Sequence, residues 1–140
     1  MEANRGAGKG WFLAAALTAV CTGAPGCGAA QKIELASSKD RPLVAMTDRK
    51  TFEPSFLDVR RGATVVWRNT SALTHTVTAD PSLAADPAHV EFPSAAIPFD
   101  SGEVQPGGQF AHRFDEPGIY RYVCLPWETA GMAGSVRVSR

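Results

Sequence analysis

The chain of 140 residues lacks a net charge, a long hydrophobic segment and the usual signatures of hydrolytic catalysis. Its 14 basic residues are balanced by 14 acidic residues, and without a basic excess we expect no nucleic-acid partner. The main apolar run, residues 11–20, is shorter than the about 20 residues of a membrane-spanning helix. We recognise no Ser-His-Asp arrangement, phosphate-binding glycine motif or spaced carboxylate pair, so we do not expect an enzyme.

Helical periodicity is also lacking from residue 42 onward, where short runs of β-forming residues alternate with turn sequences. The strongest turns are at residues 106–108 and 116–118. Eight runs are predicted strands: 43–47, 55–59, 64–68, 75–79, 99–104, 109–114, 119–124 and 135–138. Their number and spacing predict an all-β Greek-key sandwich or barrel over residues 42–140. Residues 80–97 interrupt the strands and are predicted as a loop with a helical turn at 83–86.

Residues 1–26 have the pattern of an export signal, because Arg5 and Lys9 precede the apolar run and small residues follow it. Residues 27–41 are predicted to be a polar tether. Two processing sites are alternatives. Residues 24–27 resemble a lipobox, which would lead to acylation of Cys27, whereas residues 28–30 have the small residues of an ordinary cleavage site near Ala30. In both cases we expect a periplasmic or extracellular domain, and a lipid anchor would be its only membrane contact.

Only one cysteine, Cys124, falls in the predicted folded domain, since the other two lie in the export segment. An exported thiol without a disulfide partner is either buried and inert or a metal ligand. Met132 follows Cys124 by eight residues, and His75 lies at a predicted loop-to-strand junction. A thiolate, an imidazole and a thioether are soft or borderline donors, which select copper over magnesium, calcium or manganese.

The order of several short motifs makes the chain similar to a known family. These motifs are GATVVWRN at 62–69, HTVT at 75–78, FDSG at 99–102, PG at 106–107, PGIYRYVC at 117–124 and GMAGSV at 131–136. The span 43–140 resembles the plastocyanin-like cupredoxins, which are small blue-copper electron carriers. The resemblance implies one copper ion, a redox partner protein and a monomer. It places His75, Cys124 and Met132 at three of four ligand positions, and Asn69 near a position that ties the His loop to the Cys loop.

One ligand position departs from the family pattern Cys-x-x-His, because the third residue after Cys124 is Trp127. An indole has an N–H donor and no free lone pair, so Trp127 cannot replace an imidazole ligand. Three alternatives follow. Copper binds through the remaining three donors with Trp127 as a cap, which favours Cu(I). Alternatively, another donor completes the site, with Glu128, His89 and His112 as the candidates. In the third alternative the site has lost its metal.

These alternatives correspond to three functions. The first is a single-electron carrier that cycles between Cu(II) and Cu(I). The second is a non-redox protein that holds or delivers Cu(I), and the third is a metal-free interaction module with a degenerate copper site.

Overall fold

The computed structural model of the chain describes residues 41–140. The predicted export segment 1–26, the candidate lipidation site Cys27 and the tether up to residue 40 lie outside the described residues. In the described part of the chain, no helix has the length and apolar character needed to span a bilayer.

The domain is a sandwich of two mixed β-sheets, which confirms the predicted fold class. Its nine strands are β1 (Leu43–Met46), β2 (Phe52–Glu53), β3 (Phe56–Arg60), β4 (Thr64–Asn69), β5 (Thr78–Ala79), β6 (Phe99–Asp100), β7 (Gln109–Arg113), β8 (Gly118–Val123) and β9 (Ala133–Ser139). One sheet has the order β2-β1-β4-β7 and the other has the order β3-β9-β8-β5-β6. Short 3-10 helices at Pro87–His89 and Leu125–Ala130 complete the described elements.

Aromatic side chains from both sheets form the centre of the core. In β4, alternate residues face inward, and Val65 and Trp67 are fully buried on one face, as the alternation predicts. The indole of Trp67 contacts Tyr122 of the opposite sheet edge-on, with ring centroids 5.3 Å apart. Phe99 and Phe114 lie 6.3 Å and 6.2 Å from the same indole. These contacts hold the two sheets at a fixed spacing.

The strands nearest the candidate site are shorter than the sequence predicts. Of residues 75–79 and 99–104, only Thr78–Ala79 and Phe99–Asp100 are regular strand, while His75 and Val104 form an isolated bridge. The reason is that Thr76 directs its hydrogen bonds toward the Cys124 loop. The strand Phe52–Glu53 was not predicted, because two residues carry too little periodicity to detect.

The long insertion, residues 80–97, is mainly loop, with a helical turn later in the chain than predicted. The 3-10 helix covers Pro87–His89 and not residues 83–86, because Asp86 accepts a bond from the backbone N–H of Ala88 and Pro87 takes the first helical position. At residues 80–83 the chain instead forms a turn in which the Asp80 carboxylate accepts bonds from Ser82.

Glu128 fastens this insertion to the loop that follows Cys124. Its side chain is 2% exposed, and its two oxygens accept hydrogen bonds from the backbone N–H groups of Ala85 (2.8 Å) and Asp86 (3.0 Å). His89 Nδ1 lies 2.9 Å from the same carboxylate and must donate to it, because a carboxylate only accepts. Burial alone raises the pKa of Glu128, but these three bonds together outweigh it and hold the pKa below its usual range.

We expect Gly134→Ala to lower stability, because β9 approaches Tyr122 too closely to accept a side chain. An added Cβ would lie 2.5 Å from the Tyr122 ring, inside the register pair Tyr122–Gly134. The expected loss is about 1–3 kcal/mol in the free energy of unfolding, measured by urea denaturation. Ala133→Ser, at the neighbouring exposed position, is the matched control. Equal stability of both variants would contradict the described register of β8 and β9.

Replacing Glu128 by Gln should weaken the domain in a pH-dependent way. The carboxylate has a lowered folded pKa, so its contribution to stability is present above the unfolded pKa of about 4.3 and is lost as pH falls through the folded pKa. At neutral pH, Glu128→Gln should cost about 1–3 kcal/mol. Between about pH 5 and pH 3, its stability should decline less steeply than that of the wild type. Glu103→Gln, at an exposed position, is the control, and parallel pH curves for all three proteins would rule out this role.

Candidate metal centre

The three predicted ligands lie on backbone segments that meet at one end of the sandwich. His75 precedes β5, Cys124 follows β8 directly, and Met132 precedes β9 directly. The backbone N–H of Cys124 donates to the carbonyl of Met132 at 3.0 Å, and the N–H of Met132 donates to the carbonyl of Trp127 at 3.1 Å. Gly131 adopts a left-handed conformation with φ of 84°, which allows the 3-10 helix to end and the chain to enter β9. The loop between the two sulfur residues is therefore closed by its own backbone.

His75 and Cys124 are close enough to share one ion. The Nδ1 atom of His75 lies 3.5 Å from the Sγ atom of Cys124, and both residues are fully buried. A first-row ion with a metal–nitrogen bond of about 2.0 Å and a metal–sulfur bond of about 2.3 Å, at an angle of about 110–120°, separates these atoms by about 3.5–3.7 Å. The observed separation falls at the short end of this range. Met132 is also buried, and its backbone closes the loop beside Cys124.

Thr76 joins the His75 loop to the Cys124 loop. Its backbone N–H donates to Cys124 Sγ at 3.3 Å, and its Oγ1 accepts from the backbone N–H of Leu125 at 2.8 Å. Thr76 was not among the predicted site residues, although its position next to His75 and its hydrogen-bonding side chain were a usable signal. Burial raises the pKa of the Cys124 thiol, and the bonds from Thr76 offset part of that rise. A metal ion that binds here must therefore displace the thiol proton.

Asn69 lies on the side of His75 opposite to Cys124. Its Nδ2 donates to the carbonyls of Leu73 and Val104, at 2.7 Å and 2.9 Å. Its Oδ1 accepts from Ser71, whose hydroxyl lies 2.9 Å from Nε2 of His75. Asn69 thus supports His75 through Ser71, while the tie between the two loops that the resemblance implied is made by Thr76. Burial lowers the pKa of His75 and outweighs the opposing effects of the Asp48 carboxylate and of a bond to the Thr47 backbone, which keeps the imidazole neutral and suitable as a metal ligand.

Trp127 contacts the backbone of the His75 loop. Its Nε1–H donates to the carbonyl of Thr74 at 3.2 Å, so the one polar group of the indole is already in use. Lys50 places its Nζ atom 4.1 Å from the ring centroid, in a cation–π contact. The ring is half-buried and packs against the core. Trp127 therefore connects the two ligand loops mechanically and adds no donor for a metal.

None of the three candidate replacement donors contacts His75 or Cys124. Both oxygens of Glu128 accept bonds from the insertion, and His89 is bound to Glu128. His112 stacks on Phe99 with ring centroids 4.0 Å apart, where burial lowers its pKa. Across residues 41–140, no group of three or more His, Cys, Asp and Glu side chains is arranged to hold a metal. The donors that the structure brings together are one imidazole nitrogen and one sulfur, with Met132 adjacent in the fold.

The chemistry of this donor set fits copper. The His75 nitrogen and the Cys124 sulfur are enclosed, so that water does not compete for an ion between them. Thiolate and thioether ligands select soft ions such as Cu(I), whereas the set is one imidazole short of the trigonal arrangement of a blue-copper centre. The site is therefore suited to copper and biased toward the reduced ion.

Comparisons with known proteins agree with this geometry. The family model described as copper binding proteins, plastocyanin/azurin family, matches residues 43–139. Plastocyanin of Scenedesmus fuscus is 32% identical over 87 residues, which cover 62% of this chain and 85% of that protein. Chloroplastic plastocyanin of Pisum sativum is 33% identical over 88 residues, which cover 63% of this chain and 51% of that protein. The chain thus spans about half the length of the Pisum protein.

A solved structure of an amicyanin variant in its Cu(I) form superposes with a TM-score of 0.57 at 22% sequence identity, covering 74% of this chain and 87% of that one. At this identity the likeness supports the fold alone. The family match extends over nearly all of the described domain, and the fold and the buried sulfur–nitrogen pair agree with it. The chain belongs to the plastocyanin/azurin family of copper-binding electron carriers, and its cofactor is one copper ion.

Proposed function

We propose that this protein is an exported single-electron carrier whose copper ion is held by His75, Cys124 and Met132 and cycles between Cu(II) and Cu(I). The observation that carries the proposal is the 3.5 Å separation of His75 Nδ1 and Cys124 Sγ in a fully buried setting. When bound, copper supplies the one-electron couple, and the polypeptide supplies the ligands and their fixed positions. The electron passes to or from a redox partner protein outside the cytoplasm.

The rigidity of the site supports electron transfer. Three backbone hydrogen bonds set the separation of the sulfur residues: Cys124 to Met132, Met132 to Trp127, and Gly131 to Glu128. Thr76 fixes the His75 loop against the same segment. Ligands that are already held in place move little when the charge of the ion changes, so the reorganisation energy of the transfer is small.

The charge of the site favours the reduced state. Cys124 as thiolate contributes the only negative charge among the three donors, because His75 and Met132 are neutral. The loaded site is therefore neutral with Cu(I) and carries one positive charge with Cu(II). A buried environment disfavours net charge, so burial raises the reduction potential. The absence of a second imidazole acts in the same direction, since nitrogen donors stabilise Cu(II).

One observation favours a second candidate function, the holding or delivery of Cu(I) without redox cycling. Trp127 stands where the family pattern has an imidazole, and its N–H is bound to Thr74. If this loss prevents Cu(II) from binding, the same pocket of sulfur and nitrogen donors still suits Cu(I). The two functions use the same three residues and differ in whether the oxidised site forms.

Copper titration of the purified domain distinguishes these functions. An electron carrier should bind one equivalent of copper and show an intense thiolate-to-copper charge-transfer band that bleaches with reductant and returns with oxidant. Cys124→Ser should abolish the band, because the thiolate is its origin. His112→Gln is the control, since His112 lies against Phe99 and should leave the stoichiometry at one ion. Tight Cu(I) binding without a band supports the delivery function, and binding of neither ion contradicts both.

Replacing Trp127 by His should strengthen Cu(II) binding. The new imidazole adds a σ-donor three residues after Cys124, where the family pattern has one. We expect at least about a tenfold gain in Cu(II) affinity, or about 1.4 kcal/mol, together with a lower reduction potential. Trp127→Phe is the matched control: it also loses the bond to Thr74 but offers no donor. An equal Cu(II) affinity in the two variants would show that residue 127 does not face the metal.

A further inference from the structure

A chain of buried hydrogen bonds runs from Asn69 through Ser71 to the outer nitrogen of His75. We infer that the Ser71 hydroxyl, oriented by the Asn69 amide, fixes the His75 tautomer with the proton on Nε2 and the lone pair of Nδ1 toward Cys124. Ser71 is then a positioning residue for the copper ligand. The inference rests on the proposed function to the extent that His75 is taken to bind copper through Nδ1.

The first step is the orientation of the Asn69 amide. Its Nδ2 lies 2.7 Å from the carbonyl oxygen of Leu73 and 2.9 Å from that of Val104. Carbonyl oxygens only accept, so an NH₂ group must face them, and both of its protons are used. A flipped amide would place its oxygen against two other oxygens. Asn69 is 1% exposed, so no solvent is available to relieve that contact. The Oδ1 atom therefore faces Ser71.

The second step is the direction of the Ser71 hydroxyl proton. The hydroxyl oxygen lies 2.7 Å from Asn69 Oδ1 and 3.2 Å from the carbonyl of Leu73, and both of these atoms only accept. Its single proton is therefore used on that side, mainly toward Asn69. The two lone pairs remain for the backbone N–H of Leu73, at 3.0 Å, and for His75 Nε2, at 2.9 Å. An acceptor at this position requires that Nε2 carry a proton.

The third step is the state of the opposite ring nitrogen. A neutral imidazole has one ring proton, and with that proton on Nε2 the Nδ1 atom has a free lone pair. Nδ1 lies 3.5 Å from Cys124 Sγ, which is the position a shared ion requires. The other tautomer would place a proton on the ligand nitrogen and an unpaired lone pair against Ser71. A metal ion would then have to displace a ring proton as well as the thiol proton.

The inference is tested first in the metal-free protein by NMR of a sample labelled with ¹⁵N-histidine. Long-range ¹H–¹⁵N couplings identify which nitrogen of His75 is protonated. We expect protonation at Nε2, with a slowly exchanging ring proton because the residue is buried. Protonation at Nδ1 in the wild type would overturn the inference. This readout needs no copper, so a wild-type protein that binds no copper would end the proposed function while leaving the tautomer result intact.

The second test compares Ser71→Ala with the conservative variant Ser71→Thr. Without the hydroxyl, the Thr47 backbone remains as a hydrogen-bond partner of the His75 ring. We therefore expect the Nε2-protonated tautomer to lose population to the other tautomer, and Cu(I) affinity to fall by about 10- to 100-fold, as for other residues that orient a metal-ligating histidine. Ser71→Thr keeps a hydroxyl and should restore both properties. Ser82→Ala, in the exposed turn of the insertion, is the control.

Two outcomes of this comparison would refute the role of Ser71. One is an unchanged His75 tautomer in Ser71→Ala, and the other is a Cu(I) affinity equal to that of the wild type. Should Ser71→Ala fail to fold, the His75 tautomer in the wild type and in Ser71→Thr still tests whether the hydroxyl at position 71 fixes the ring proton on Nε2. A Ser71→Thr protein with the Nδ1 proton would then count against the inference.

Discussion

The paired hydrogen bonds between Thr76 and the segment Cys124–Leu125 are the contact on which the site depends. They connect residues separated by 48 and 49 positions, and they bring the imidazole loop and the thiol loop to one place. The same bonds explain why β5 is only two residues long. The backbone of His75 exchanges hydrogen bonds with Val104, and the N–H of Thr76 bonds to Cys124. Regular strand pairing therefore begins only at Thr78. The hydrogen bonds that position the ligand loops thus replace regular strand pairing at residues 75–77.

The segment after Cys124 is held by neighbours on both sides. Trp127 bonds to the His75 loop through Thr74, whereas the next residue, Glu128, bonds to the insertion. The two side chains attach adjacent positions of one short helix to different parts of the domain, and the backbone kinks at Trp127, where φ is −123°. These bonds hold the segment between Cys124 and Met132 against both the His75 loop and the insertion.

Much of the architecture could be predicted from the sequence, because the alternation of buried and exposed residues along a strand depends only on residues that are neighbours in the sequence. Trp67 and Val65 follow the period of a half-buried strand, and both are core residues. The residues that support the site carry no such periodic signal, although the position of Thr76 next to His75 marks it as a candidate. Ser71 and Thr76 are small polar residues in an irregular segment, and their roles depend on partners distant in sequence, as in the bond from Thr76 to Cys124. The helical turn predicted at residues 83–86 was placed too early in the chain, because Asp86 caps a 3-10 helix that begins at Pro87.

The ammonium group of Lys50 has a consequence for the path of electrons. It lies 4.1 Å from the centroid of the Trp127 ring, where its charge stabilises the π electrons of the indole. Removing an electron from that ring would leave two positive charges side by side, which is costly in a half-buried position. The indole of Trp127 is therefore harder to oxidise to a radical cation than it would be without the ammonium group of Lys50.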